Sequence, residues 1–118
     1  MKSTLELLNF LYLRKIQYCK QIGFEKEPIV VTNIKDLPDK SLKLSVHGTM
    51  RYDKECLGLW YPSCGHNPDC IYIDIKRHKN KRQLEHTLIH ELLHSKLGPE
   101  HNKEFYDTIK QVKKGMIL

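Results

Sequence analysis

The clearest hydrophobic pattern in the chain lies between residues 81 and 97. Apolar residues recur there every three or four positions, as in an amphipathic helix, namely at Leu84, Leu88, Ile89, Leu92, Leu93 and Leu97. Asn80 can cap the start of this helix, with Gln83 three residues later. Gly98 and Pro99 follow the last apolar residue and provide a stop. The pattern therefore predicts a helix over 81–97.

Two further helices are predicted near the ends of the chain. Residues 3–22 keep helical spacing, with apolar side chains at Leu5, Leu8, Tyr12, Ile16 and Cys19. Gly23 ends this segment. Its first half is apolar on nearly every side, so we expect it to be buried against a sheet or to meet a partner subunit in part. The last helix is predicted from about 101 to 114 and ends at Gly115.

Short segments rich in β-branched and aromatic residues lie between these helices and predict a small sheet. The candidate strands are 28–34, 42–46, 49–52, 57–61 and 70–75. Residues 53–55 can form a hairpin turn. The order of elements predicts an α+β fold with a small, mostly antiparallel sheet, formed as a single domain over residues 1–118.

The predicted helix over 81–97 carries residues with metal-binding chemistry. Residues 90–94 read His-Glu-Leu-Leu-His. Positions four apart share one helix face, so His90 and His94 can reach one metal ion. Glu91 lies beside them, where it can act as a general base towards water. His86 also lies four residues before His90, but no glutamate follows it, so we interpret His86 as solvated or as a residue behind the ligands.

A third ligand is expected after the break at Gly98–Pro99. His101 is the preferred candidate, because a neutral imidazole is a good zinc ligand and a Gly-Pro turn can fold the chain back. Glu100 and Glu104 are alternatives. Three protein ligands leave one position open, as in catalytic zinc sites. Phe105 is expected to pack in the core.

The stretch from 90 to 106 resembles zinc metallopeptidases of the SprT and WLM kind. The shared pattern is HELxH, a short loop containing Gly-Pro, and a histidine followed four residues later by phenylalanine. The chain is also similar to the minigluzincins, which are stand-alone peptidases of about this length. The resemblance covers roughly residues 70–110. It implies a zincin-like domain with one catalytic Zn²⁺, with Glu91 as general base and acid, and with the metal ligands His90, His94 and His101.

The same resemblance raises the hypothesis of a latent enzyme. Minigluzincins are described as zymogens in which a C-terminal segment blocks the cleft, within one molecule or between two. The corresponding segment here is about 111–118, which ends in the apolar residues Met116, Ile117 and Leu118. A homodimer is a related hypothesis. The chain departs from the longer metzincin pattern, because Gly98 and His101 each lie one residue later than that pattern places them.

Composition and charge further limit the class of protein to which the chain can belong. The chain has 118 residues and a formal net charge of +6. No apolar run is long enough to cross a bilayer, and Glu6 and Asn9 interrupt the apolar N-terminal run, so we expect a soluble, cytoplasmic protein. The basic segment 76–82 is either a solvated loop and helix start or an electrostatic footprint for nucleic acid or an acidic substrate.

The four cysteines allow three interpretations. Reduced thiols are the simplest one for an intracellular chain. A disulfide between Cys64 and Cys70 is the second. A second metal site is the third and lacks a CxxC pair; its ligands would be Cys56, Cys64, His66 and Cys70.

The sequence thus predicts a zinc-dependent metallopeptidase acting on a peptide or protein substrate. The strand 70–75 is a candidate to bind an extended substrate by strand addition, provided that it is an edge strand. A further donor is needed for the oxyanion, and the candidates are Tyr52, Tyr61, Tyr72, Tyr106 and His66. The alternatives are a metal-dependent ribonuclease of the three-histidine type, which needs no glutamate after the first histidine, and a non-catalytic zinc-binding module.

Overall fold

A computed structural model describes residues 4–37, 57–62 and 68–118 of the chain. The described residues form an α+β fold, as predicted, with three α-helices and a three-stranded sheet. In chain order the elements are α1 (Thr4–Ile22), β1 (Ile29–Val31), β2 (Gly58–Tyr61), β3 (Cys70–Ile73), α2 (Lys81–Leu97) and α3 (Lys103–Lys113). The predicted strands 42–46 and 49–52 and the turn 53–55 lie outside the described residues. Within the described ranges, no helix has the length and apolar character needed to cross a membrane.

The described sheet is mixed, with the strand order β1-β3-β2. β1 runs parallel to β3, with Ile29 opposite Cys70. β2 runs antiparallel to β3, with Gly58 opposite Ile73. One of the two described pairings is therefore parallel, and the prediction of a mostly antiparallel sheet is wrong for this part of the chain. A parallel pair requires a long crossover, and the chain between β1 and β3 is long enough to provide it.

β3 is the central strand of the described sheet, so the edge position that strand addition by 70–75 requires is not met. All four of its residues are buried. The sequence of a strand that is covered on both faces is usually a continuous run of apolar residues. Cys-Ile-Tyr-Ile is such a run. β2 is the strand that lies along α2. It therefore replaces β3 as the strand beside the candidate site.

The boundaries of α2 agree with the prediction. The Asn80 Oδ1 atom accepts a hydrogen bond from the backbone N–H of Gln83 at 2.8 Å, and the Gln83 side chain accepts one from the N–H of Lys79 at 2.7 Å. Gly98 ends the helix with φ at 101°, a conformation that favours glycine. Its N–H donates to the carbonyl of His94 at 2.9 Å. These contacts fix where the histidines of α2 lie.

α2 runs through the centre of the hydrophobic core. Five of its apolar side chains are fully buried, namely Leu84, Leu88, Ile89, Leu92 and Leu93. They pack against one face of α1 and against the sheet and α3. The buried apolar face of α1 is formed by Leu7, Leu11, Tyr18 and Ile22. Since α2 is held on several sides, it is a rigid support for the residues it carries.

The opposite face of α1 is exposed. Leu5 and Leu13 are 67% and 68% exposed, and Tyr12 and Ile16 are also exposed. Burial against the sheet therefore does not hold for this face, and its contact with a partner subunit stays a prediction. The apolar surface is compatible with the predicted homodimer, which stays a prediction.

Cys19 and Cys70 are buried free thiols. Cys70 therefore takes part in no disulfide in the structure. Burial raises the pKa of Cys19 to about 11 and also raises the pKa of Cys70, so both thiols are protonated at neutral pH. Cys56 and Cys64 lie outside the described residues.

Candidate metal centre

Three histidine side chains converge on one point. The Nε2 atom of His94 lies 3.1 Å from that of His90 and 2.9 Å from that of His101. The Nε2 atoms of His90 and His101 are 3.2 Å apart. His90 and His94 come from adjacent turns of α2, and His101 comes from the loop between α2 and α3. The three residues form a group that could hold a metal ion.

The spacing of the three nitrogens fits a tetrahedral metal. Zn–N bonds of about 2.0–2.1 Å at tetrahedral angles place two ligand nitrogens about 3.3–3.4 Å apart. The observed separations are 2.9–3.2 Å, so only a small outward movement is needed. The donor set is also suitable, since imidazole nitrogen is a preferred ligand for zinc and for several other divalent transition metals.

The tautomer of His94 is set by a backbone contact. Its Nδ1 atom lies 2.9 Å from the carbonyl oxygen of Gly98, and only a protonated Nδ1 can donate to a carbonyl. In neutral His94 the Nε2 atom therefore carries a lone pair directed at His90 and His101. A backbone carbonyl behind a histidine is a common way to orient a metal ligand.

His90 and His94 are also in a protonation state that favours binding of a cation. Burial, together with the neighbouring histidines, lowers the pKa of His90 to about 4. Burial likewise lowers the pKa of His94, although its hydrogen bond to Gly98 acts in the opposite direction. Metal ligation requires neutral imidazole. At neutral pH both side chains are in that form.

The Phe105 ring packs against all three imidazoles. It is fully buried, as predicted, and its ring centroid lies 4.7–5.2 Å from the ring centroids of His90, His94 and His101. Asn102 caps α3 through a hydrogen bond from the N–H of Phe105 at 3.0 Å. The start of α3 thus places Phe105 directly after the loop that brings in His101.

Glu91 lies in the same pocket as the histidines. This cavity of about 460 Å³ is lined by Gly58, Leu59, Trp60, His90, Glu91, His94, Pro99 and His101. The Glu91 Oε1 atom is 3.7 Å from the Nε2 atom of His90. Burial raises the pKa of Glu91 to about 7. A carboxyl group with such a pKa can both take up and release a proton near neutral pH.

Gly58 allows β2 to lie close to α2 beside Glu91. A Cβ atom at this position would lie 2.9 Å from the Thr87 Cγ2 atom, 3.1 Å from the carbonyl oxygen of Tyr72 and 3.3 Å from the Glu91 Cγ atom. These distances are shorter than ordinary van der Waals contacts. The sequence gives no sign of this role, because the three neighbours come from distant parts of the chain.

Gly58→Ala is therefore expected to destabilise the protein by about 1–3 kcal/mol, the usual range for overpacking. The added methyl group must displace β2, Thr87 or Glu91. Urea denaturation measures the free energy of unfolding directly. Unchanged stability in this variant would contradict the close packing of β2 on α2.

The other candidate ligands lie away from the three nitrogens. Glu100 is exposed and accepts a 3.4 Å hydrogen bond from Asn102, and Glu104 is exposed on α3. Among the described residues, the group of potential ligands contains His101 and neither glutamate. His86 is exposed, and its Nδ1 atom accepts a hydrogen bond from Lys113 Nζ at 2.7 Å.

Only three of the five candidate oxyanion donors lie among the described residues. Tyr106 is half exposed and stacks on His101, with ring centroids 6.3 Å apart. Tyr61 and Tyr72 lie on the sheet and are absent from the lining of the described pocket. Tyr52 and His66 lie outside the described residues. Tyr106 is also absent from that lining, so its ring contact with His101 is the observation that keeps it a candidate.

Part of the basic segment 76–82 has a structural role. Arg77 forms an ion pair with Asp74 at 3.4 Å. His78 is buried, with its Nδ1 atom 2.6 Å from the carbonyl of Asp74 and its Nε2 atom 2.8 Å from the hydroxyl of Thr87 on α2. Lys81 lies over the Phe10 ring at 5.3 Å. These contacts attach the start of α2 to its surroundings, and nucleic-acid binding by this segment stays a prediction.

The C-terminal tail 115–118 lies against the end of α1. The N–H of Leu118 donates to the carbonyl of Gln21 at 2.7 Å. The Gln21 side-chain amide donates to the carbonyls of Val112 and Met116, both at 3.1 Å. The described lining of the pocket includes no residue of this tail. Latency through blocking by a second copy stays a prediction.

No protein-family model matches the chain, and neither curated proteins nor solved structures provide a match.

Proposed function

We propose that this protein is a zinc-dependent metallopeptidase. The observation that carries the proposal is the convergence of three Nε2 atoms within 3.2 Å of one another beside a buried glutamate. Three imidazoles facing one point are typical of a catalytic zinc site. Glu91 follows His90 directly, as the general base does in HExxH peptidases.

In this proposal His90, His94 and His101 hold the ion. When bound, zinc would polarise the scissile carbonyl group and make water a stronger nucleophile at neutral pH. Glu91 accepts a proton from the attacking water and donates it to the leaving amine. The buried position of Glu91 excludes bulk water from its carboxyl group, and Gly58 and Trp60 bound the pocket on the side of β2.

Two alternatives remain distinguishable by experiment. A ribonuclease of the three-histidine type would cleave structured RNA in a metal-dependent manner and would tolerate loss of Glu91. A non-catalytic zinc-binding module would bind the metal stoichiometrically without turnover. Assays of the same metal-loaded preparation on a denatured protein and on a structured RNA separate the three functions. Glu91 favours the peptidase, because its carboxyl group lies in the pocket beside His90.

The position of the tail leads to a test of latency. Because residues 115–118 contact Gln21 rather than the pocket, we expect their deletion to leave hydrolysis by the dilute, monomeric protein unchanged. The measurement is the specific activity of wild type and truncated protein over a range of protein concentrations. A gain in the dilute protein would contradict the observed position of the tail. A gain confined to concentrated protein would support blocking by a second copy.

A further inference from the structure

The imidazole of His94 stacks with two aromatic rings. The Trp60 ring on β2 stacks on it with centroids 5.8 Å apart and an interplanar angle of 13°. The Phe105 ring also stacks on it, with centroids 4.7 Å apart and an angle of 28°. With Nδ1 bound to the carbonyl of Gly98, these contacts define both the plane and the direction of the ring.

Asp69 anchors Trp60 in this arrangement. Its Oδ2 atom accepts a hydrogen bond from the Trp60 Nε1–H at 2.8 Å and another from the Ser95 hydroxyl at 2.7 Å. Ser95 is the neighbour of His94 on α2. One carboxylate oxygen therefore connects the stacking ring on β2 to the helix position beside His94.

We propose that Asp69 and Trp60 are positioning residues for the metal ligand His94. This inference rests on the proposed function, because it assigns these residues a role in holding the same ion. Groups that orient a ligand from outside the coordination sphere usually change metal affinity by about 10–100-fold when they are removed. Asp69 acts through Trp60 and Ser95 rather than on the imidazole itself, so its effect lies at the lower end of that range.

The fluorescence of Trp60 can also be used to detect metal binding at the site. It is the single tryptophan in the chain, so the tryptophan fluorescence of the protein comes from a ring that stacks on His94. Binding of Co²⁺ is therefore expected to quench this fluorescence. Titration with Co²⁺ provides a measure of metal binding that does not depend on activity.

The test compares four variants with the wild type. Asp69→Ala removes the acceptor, whereas Asp69→Asn retains an acceptor oxygen without the charge. Trp60→Phe keeps a ring against His94 but loses the N–H donor. Asp107→Ala is the matched control, because Asp107 lies on α3 and is absent from the described pocket lining. Zinc dissociation constants come from competition with a chromophoric chelator, and thermal unfolding of the metal-free proteins is measured in parallel.

We expect Asp69→Ala and Trp60→Phe to weaken zinc binding by about tenfold. Asp69→Asn should recover most of the affinity, and Asp107→Ala should match the wild type. If Asp69→Ala does not fold, Trp60→Phe and Asp69→Asn decide the question. Zinc affinities equal to that of the control, with only thermal stability reduced, would overturn the inference. A wild-type protein that binds neither Zn²⁺ nor Co²⁺ would instead refute the proposed function on which it rests.

Discussion

Glu91→Ala is expected to retain bound zinc and to lower the rate of peptide hydrolysis by a factor of about 10²–10⁴, the usual contribution of a general base. The carboxyl group lies in the pocket, 3.7 Å from the Nε2 atom of His90. It is not a member of the three-histidine group. Removing it should therefore affect proton transfer and leave metal binding in place.

Two further variants show whether a loss of activity comes from the loss of the Glu91 carboxyl group. Glu91→Gln keeps nearly the same volume in the buried site, so equal losses in the Ala and Gln variants would exclude a packing defect as the cause. Glu85→Gln is the control on the same helix, because Glu85 pairs with Arg14 at 3.7 Å and is absent from the pocket lining. Zinc content and hydrolysis of a denatured protein are measured for each variant. Full activity in Glu91→Gln would contradict the proposed mechanism.

The second large effect is expected from His94→Gln, which should weaken zinc binding by more than about 100-fold. Loss of a direct ligand should exceed the 10–100-fold typical of residues outside the coordination sphere. His94 is the central member of the cluster, because its Nε2 atom lies within 3.1 Å of both other Nε2 atoms.

His86→Gln is the matched control for this prediction. His86 lies one helical turn before His90 and would be a ligand if the pair were 86 and 90 instead of 90 and 94. In the structure it is exposed and bonded to Lys113. We therefore expect His86→Gln to bind zinc as the wild type does. If His86→Gln lost zinc and His94→Gln kept it, the assignment of the ligands would be wrong.

The sequence predicts well those parts of the site that depend on contacts between residues close together in the chain. The bounds of α2 follow from a periodic apolar pattern between a capping Asn80 and a terminating Gly98, and these contacts span four residues or fewer. The i and i+4 spacing then fixes His90 and His94 on one face. The sequence leaves three candidates for the third ligand, and the loop geometry, which no local pattern reveals, brings His101 to the pair.

The residues that sequence reasoning missed act through distant contacts. Asp69 and Ser95 are 26 positions apart and share one hydrogen bond, and Gly58 matters because of atoms on β3 and α2. No periodicity or motif marks such contacts. The parallel pairing of β1 with β3 is likewise non-local, because it depends on how the chain between the two strands crosses over. The unbroken apolar character of β3 is typical of a central strand.

The most direct test of the central claim is the zinc content of the purified protein together with its hydrolysis of casein before and after chelation. We predict one zinc ion per chain, loss of hydrolysis when a chelator removes it, and recovery when zinc is restored. A protein that binds no zinc, or that hydrolyses casein equally well after the metal has been removed, would contradict the account.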